Sequence, residues 1–395
     1  MEKIMADLML FASLVLPLLI VVLVGRYLER GLLDASTEEQ ARRRYRLSWV
    51  VTPAILVQAG LLWSILSNWG EHMATPAWLF AQMQSFASLL AGVIGRPATA
   101  AVLSILGMVL VVLYYSLYSL PWLRLDRIAK RAQGSTVRKT QIKLTLRGAL
   151  AGFLPLMLWI GVLMPFVSQF IVRSEMATLA LMLAGFLLVV HSLSPWQIQL
   201  ANPTTPLPAE HPVTSMAQEL CVQTGVGIDQ VRVLKLGETR VANALVAGLW
   251  PQLRRIYLTD HMLETFSVAE IRAILAHEVG HIHHRHLWWY LALAVGGVVI
   301  IPRLVDGLAW FDLLGQSFWT VLIALGLYWG VMFKFLSRRF EQQADRFAVA
   351  ATGDVATFQS ALEKLAEVNG MVKHYSKWDI FQTHPPIAER VKAVG

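Results

Sequence analysis

The stretch Ser267-Val-Ala-Glu270-Ile-Arg-Ala-Ile-Leu-Ala276-His277-Glu278-Val279-Gly280-His281 reads as one helix. Ser267 followed three residues later by Glu270 is a capping-box pattern, which satisfies open N–H groups at a helix start. Further along lies H-E-x-x-H. On a helix, His277 and His281 stand one turn apart on one face, so two imidazoles can reach one zinc ion. Glu278 sits beside that face, where a carboxylate can take a proton from an activated water. These residue types at this spacing point to hydrolysis of a peptide bond.

A catalytic zinc takes three protein ligands and keeps one position open. The best third ligand is Glu341, in Arg339-Phe340-Glu341-Gln342-Gln343-Ala344-Asp345, a helical continuation of the last apolar run. Asp345 lies one turn beyond it and can accept a hydrogen bond from a ligand imidazole, fixing its tautomer. His284 is the rival ligand, seven residues after His277, but three ligands from one straight helix converge poorly. His283, Arg285 and His286 read as a basic, solvated face near lipid headgroups. The H-E-x-x-H helix is expected to merge with the apolar run that follows.

Of the 395 residues, 56% are hydrophobic and 15% charged, against about 25% charged in soluble domains. That gap points to a polytopic membrane protein. Apolar runs long enough to cross a bilayer, about 17–25 residues, cover 6–24, 48–67, 99–121, 148–171, 176–194, 287–302 (the shortest) and 317–337. An eighth, 77–95, is interrupted by Gln82, Gln84, Ser85 and Ser88. The first run is followed by charged residues with no small-residue cleavage site, so it reads as a retained span. The net charge of +8 gathers in short loops beside apolar runs, which argues positive-inside topology rather than nucleic-acid binding. One cysteine, Cys221, excludes an intramolecular disulfide and any multi-cysteine metal site.

Arg26, Arg30, Arg42, Arg43, Arg44 and Arg46 follow the first span. Arg124, Arg127, Lys130, Arg131, Arg138, Lys139, Lys143 and Arg147 follow Leu120. Both loops are expected in the cytoplasm. Residues 68–98 hold only Arg96 as a basic residue, so they are expected outside, with 77–95 interfacial or re-entrant rather than crossing. Seven spans result, with the N-terminus outside, in a bacterial inner membrane or the endoplasmic reticulum. Residues 1–195 form a membrane domain of five spans with a basic loop at 122–147. Residues 196–286 form a cytoplasmic domain, 287–337 a transmembrane hairpin, and 338–395 the cytoplasmic remainder. At about 1.5 Å per residue, His281 lies about 9 Å before the sixth span and Glu341 about 7.5 Å past the seventh, at nearly one height.

Within the cytoplasmic part, 201–212 carries four prolines and reads as a linker. Helix is expected over 213–224, and short strands over 230–236, 242–247 and 255–259, broken by Gly237 and Gly248. The fold class is thus mainly α: about seven transmembrane helices with a cytoplasmic zincin-like α+β domain.

Four elements in order resemble the integral-membrane zinc metalloproteases of the CAAX prenyl protease type 1 class and their bacterial heat-shock relatives. They are Asn243-Ala244-Leu245-Val246-Ala247-Gly248, the H-E-x-x-H at 277–281, Glu341 to Asp345, and Thr383-His384-Pro385-Pro386 with Arg390. The resemblance covers about 205–395 well and the spans only in number and order; seven spans look like the prenyl-protease branch. It implies His277, His281 and Glu341 on one Zn2+, Glu278 as general base, and a water-filled chamber over the metal. For the remaining elements, Asn243 and Ala244 would hold substrate as an added strand, and His384 would donate to the oxyanion. Arg390 would orient His384 or bind a substrate carboxylate. The expected partners are the bilayer and a peptide or membrane-protein substrate, with or without a prenyl group; quality control of misfolded membrane proteins is the alternative role. A metal transporter or sensor built on the His281–His286 cluster is the rival class, but the spans are nearly free of Asp, Glu and His.

Overall fold

The computed structural model describes residues 2–36, 77–95, 116–129, 135–159, 175–309, 326–371 and 386–394, with scattered positions in 39–58 and 102–114 and Ala324. The chain folds as two units, 1–153 with 160–165, and 154–159 with 166–395. The architecture is mainly helical with one small sheet.

The first unit contains α1 (Glu2–Glu29), α2 (Ala77–Ile94) and α3 (Leu120–Ala129), and most of α4 (Ser135–Leu158). Pro17 lies inside α1, and a proline there leaves the carbonyl four residues back without its helical donor. That carbonyl belongs to Ser13, and the Gln58 side-chain amide donates to it at 3.1 Å and to Leu14 O at 3.2 Å. The Tyr118 hydroxyl donates to the other end of the same amide at 3.0 Å. Gln58 is fully buried. In an apolar setting every backbone group needs a partner, and here a neighbouring side chain supplies it. Val21, Leu28, Leu32, Leu47, Tyr118 and Leu125 form the core of this unit. Phe11, Leu16, Leu19, Ile20 and Leu23 of α1 remain exposed, an apolar surface suited to lipid.

In the second unit, α5 (Glu175–Ala201) runs seven residues past the expected end of the fifth span. Pro195 interrupts its bonding, and the Ser194 hydroxyl donates to His191 O at 2.8 Å. The extension binds the sheet: Tyr257 OH donates to Pro195 O at 2.9 Å, and Gly248 N to Ser194 Oγ at 3.1 Å. Next come β1 (Thr204–Pro206), α6 (Pro212–Thr224), β2 (Gln230–Leu234), β3 (Ala244–Ala247) and β4 (Arg255–Thr259). Part of the expected linker is therefore a strand. Its proline is tolerated because β1 is an edge. The sheet order is β1-β2-β4-β3, with β2 and β4 parallel and the other pairs antiparallel. Gly248 ends β3 at φ +104°, and a Cβ there would lie 2.6 Å from Leu253 O, so only glycine fits this turn.

A short helix, α7 (Asp260–Thr265), leads into α8 (Val268–His283). Both capping-box bonds are made, Glu270 N to Ser267 Oγ at 3.2 Å and Ser267 N to Glu270 Oε2 at 2.7 Å. The expectation that this helix merges with the next span is corrected. The chain turns at Arg285, φ +57°, and α9 (His286–Ala309) begins afresh. His and Arg tolerate helix interiors, so propensity does not demand the break; the packing of His286 described below accompanies it.

After a π-helical segment, Tyr328–Phe333, come α10 (Lys334–Thr352), α11 (Val355–Val368) and α12 (Ile387–Val394). α8 packs against α10 at Gly280, where a Cβ would meet Ala344 Cα at 3.2 Å and Phe347 Cδ1 at 3.0 Å. The core around them includes Leu220, Ile256, Leu258, Met262, Leu275, Val279 and Phe358.

Among the described residues, two helices are long and apolar enough to cross a membrane, Phe11–Glu29 and Ala180–Ala201. They correspond to the first and fifth expected spans. The sixth falls within α9; parts of the second, third, fourth and seventh lie outside the described residues.

Candidate metal centre

α8 presents His277 and His281 one turn apart, and α10 presents Glu341 opposite them. Glycine at 280 and alanine at 344 let the two helices approach closely enough for this. His277 Nε2 and His281 Nε2 are 3.1 Å apart. A Glu341 oxygen lies 3.6 Å from each ring nitrogen, Oε2 from His277 and Oε1 from His281. An ion with tetrahedral bonds of about 2.0–2.1 Å spaces its ligands about 3.3–3.4 Å apart. The three separations straddle that value. Two imidazoles and a carboxylate therefore fit one divalent ion by donor type and by spacing. These residues are the one group of potential metal ligands among the described residues.

Each imidazole is oriented from behind. His277 Nδ1 is 2.9 Å from Asp345 Oδ1. Asp345 is 1% exposed. Burial works against its carboxylate, but hydrogen bonds from His277 and Arg390 outweigh this and hold its pKa below the usual value. Arg390 donates from Nε to Asp345 Oδ2 at 2.9 Å and from Nη2 to Oδ1 at 2.6 Å. Its Nη1 is 3.4 Å from Glu341 Oε2. Burial opposes the guanidinium charge, while Asp345 and then Glu341 and Glu278 raise its pKa. Arg390, expected to orient His384 or bind a substrate carboxylate, is buried and paired with Asp345 at the edge of the same cavity that the ligands line. A bidentate guanidinium–carboxylate pair suits that position.

His281 is turned toward His286, their Nδ1 atoms 2.8 Å apart. His286 Nε2 lies 3.0 Å from Gln343 Oε1, and its ring stacks on Phe340 at 4.2 Å. Burial, then the neighbouring His277, pushes the His281 pKa down to about 3. The ring is neutral at pH 7, the form a metal requires. Reading His286 as a solvated residue is corrected: it is 2% exposed. The signal was hidden, because a residue five positions after His281 is off its helical face unless the helix breaks. His283 is exposed, as expected for a basic face. The rival ligand His284 stacks on His286 at 5.5 Å and is not in the ligand group.

The site opens on a cavity of about 1260 Å³, lined among others by Glu278, His277, Asn243, Ala244 and Glu341. Glu278 is half-buried. Asn243 is exposed and anchored through its backbone, with N donating to Thr259 Oγ1 and O accepting from Thr259 N, both at 3.0 Å. Ala244 opens β3, whose outer edge pairs with no described strand. His384 lies outside the described residues.

Comparison with known proteins finds peptidases over the same region. Residues 209–395 match Peptidase family M48. Protease HtpX homolog 2 of Methanosarcina acetivorans is 28% identical over 206 residues, 45% of this chain and 69% of its own. Protease HtpX of Legionella pneumophila is 26% identical over 195 residues, 46% of this chain and 66% of its own. The matched region thus spans about two thirds of the length of these relatives. The crystal structure of S. mikatae Ste24p aligns over 99% of both chains with a TM-score of 0.57 at 17% identity, a likeness of fold. The motif, the ligand spacing and the match over 209–395 thus point the same way: over that region the chain is similar to Peptidase family M48.

Proposed function

We propose that the protein is a zinc metalloendopeptidase that cuts peptide bonds at the cytoplasmic face of a membrane. The observation that carries this is the convergence of two imidazole nitrogens 3.1 Å apart with the Glu341 carboxylate, whose two oxygens lie 3.6 Å from one ring each, on a cavity that Glu278 also lines. His277, His281 and Glu341 would hold the ion. A bound zinc supplies Lewis acidity, acidifying a water and polarising a carbonyl. Glu278 takes the proton of the attacking water and passes it to the leaving nitrogen. His384 donates to the oxyanion. Asn243 and the open edge of β3 hold the substrate main chain as an added strand. Asp345 fixes the tautomer of His277, and Arg390 keeps Asp345 charged.

Seven spans, an outside N-terminus and a cytoplasmic catalytic domain rest on the placement of arginine and lysine. The substrate class rests on the cavity. Leu249, Trp250, Leu287, Trp288, Tyr290 and Phe333 line it, and this apolar surface suits a substrate carrying a lipid or a membrane segment. Trimming of a prenylated C-terminus is the finer reading; cleavage of misfolded membrane proteins is the alternative, for which the same apolar surface would take a membrane segment.

The test is mass-spectrometric mapping of cleavage by purified protein on a farnesylated peptide and its unlipidated twin, with and without a zinc chelator. Chelator-sensitive cleavage is expected, faster on the farnesylated peptide. Chelator-resistant cleavage would overturn the metallopeptidase reading. Equal rates on the two peptides would overturn only the lipid-reading one.

A further inference from the structure

We propose that His286 and Gln343 form a neutral relay that sets the tautomer of His281 and so determines how tightly the metal is held. This inference rests on the metallopeptidase reading above and deepens it.

The hydrogen-bond directions follow one from another. Gln343 Oε1 can only accept, so His286 Nε2, 3.0 Å away, donates to it. A neutral His286 then has its lone pair on Nδ1, facing His281 Nδ1 at 2.8 Å. His281 must donate there, which leaves its own lone pair on Nε2. That atom is the one facing His277 Nε2 at 3.1 Å and Glu341 Oε1 at 3.6 Å. Reversing the Gln343 amide would reverse every step and put a proton where the lone pair is needed. The amide thus acts as a polarity selector two bonds removed from the metal.

The two ligand imidazoles are therefore held by different chemistry. His277 leans on a charged pair, Asp345 with Arg390. His281 leans on a neutral ring and a neutral amide. The geometry that accompanies this is the helix break at Arg285, after which the His286 ring stacks on Phe340 at 4.2 Å and 10°. Gln343 faces solvent, so it can be changed with little effect on the core.

The test is zinc affinity of the full-length, detergent-purified protein, measured by competition with a chromophoric chelator and checked by the visible spectrum of the Co2+ form. His286→Phe keeps the stack on Phe340 and removes the acceptor; it should weaken zinc binding by about 10–100-fold. His286→Asp, an acceptor-only group, should recover most of that loss. Gln343→Glu should bind as wild type, while Gln343→Lys, which donates, should bind about 10-fold more weakly. Wild-type affinity in both His286→Phe and Gln343→Lys would overturn the relay while leaving the metal site standing. Equal weakness of His286→Asp and His286→Phe would reduce His286 to a packing residue and overturn it too. Failure of the wild-type protein to bind zinc would sink the underlying reading, and the relay with it.

Discussion

Glu278 and Asp345 are both carboxylates of the candidate site, and their surroundings give them different work. Asp345 is 1% exposed, bonded to His277 and clamped by Arg390, so its charge is fixed. Glu278 lines the cavity, where a proton can arrive and leave. Glu278→Gln should therefore retain zinc and lose about 10²–10⁴-fold in peptide cleavage; normal cleavage by a zinc-loaded Glu278→Gln protein would end the general-base assignment. His281 gives a pH prediction. Its folded pKa, near 3, lies below the unfolded value of about 6.5. The unfolded chain therefore binds the proton first, and stability falls as pH drops from about 6.5 toward about 3. Metal-free protein should melt at progressively lower temperature between pH 7 and pH 5, with a shallower slope in His281→Leu. A flat profile in the wild type would contradict this. At this scale the sequence was informative wherever helical spacing applies: His277, His281, Glu341 and Asp345 all follow from one-turn separations. His286 does not, because its position depends on a helix break at Arg285 that no spacing rule anticipates.

Elements follow the same division. The start of α8 was legible in Ser267 and Glu270, whose reciprocal bonds are local. Strands β2, β3 and β4 were legible in their β-branched runs and flanking glycines. β1 was not, because three residues among prolines become a strand only by pairing with β2. The extension of α5 was hidden for the same reason: Tyr257 and Gly248 bind it from distant positions. The proline in α1 gives the sharpest test of how an element is held. If Gln58 replaces the bond that Pro17 cannot make, Gln58→Leu should destabilise the protein by about 1–3 kcal/mol. The same change in a Pro17→Ala background should cost clearly less. Equal costs in a double-mutant cycle would show that Gln58 serves some other purpose.

For the whole molecule, the family match covers 209–395 and the fold likeness covers nearly the full chain. Sidedness is argued from charge alone. It can be tested with one cysteine in a Cys221→Ser background, placed at Glu264, whose side chain is 73% exposed. A membrane-impermeant maleimide should label it only after the cells are permeabilised; labelling in intact cells would invert the topology. The central claim is that α8 and α10 grip one zinc ion between His277, His281 and Glu341. Anomalous diffraction at the zinc edge tests it most directly. A single peak within about 2.0–2.2 Å of both Nε2 atoms and a Glu341 oxygen is expected. No peak there, with the Glu341 carboxylate turned away from the imidazoles, would contradict the account.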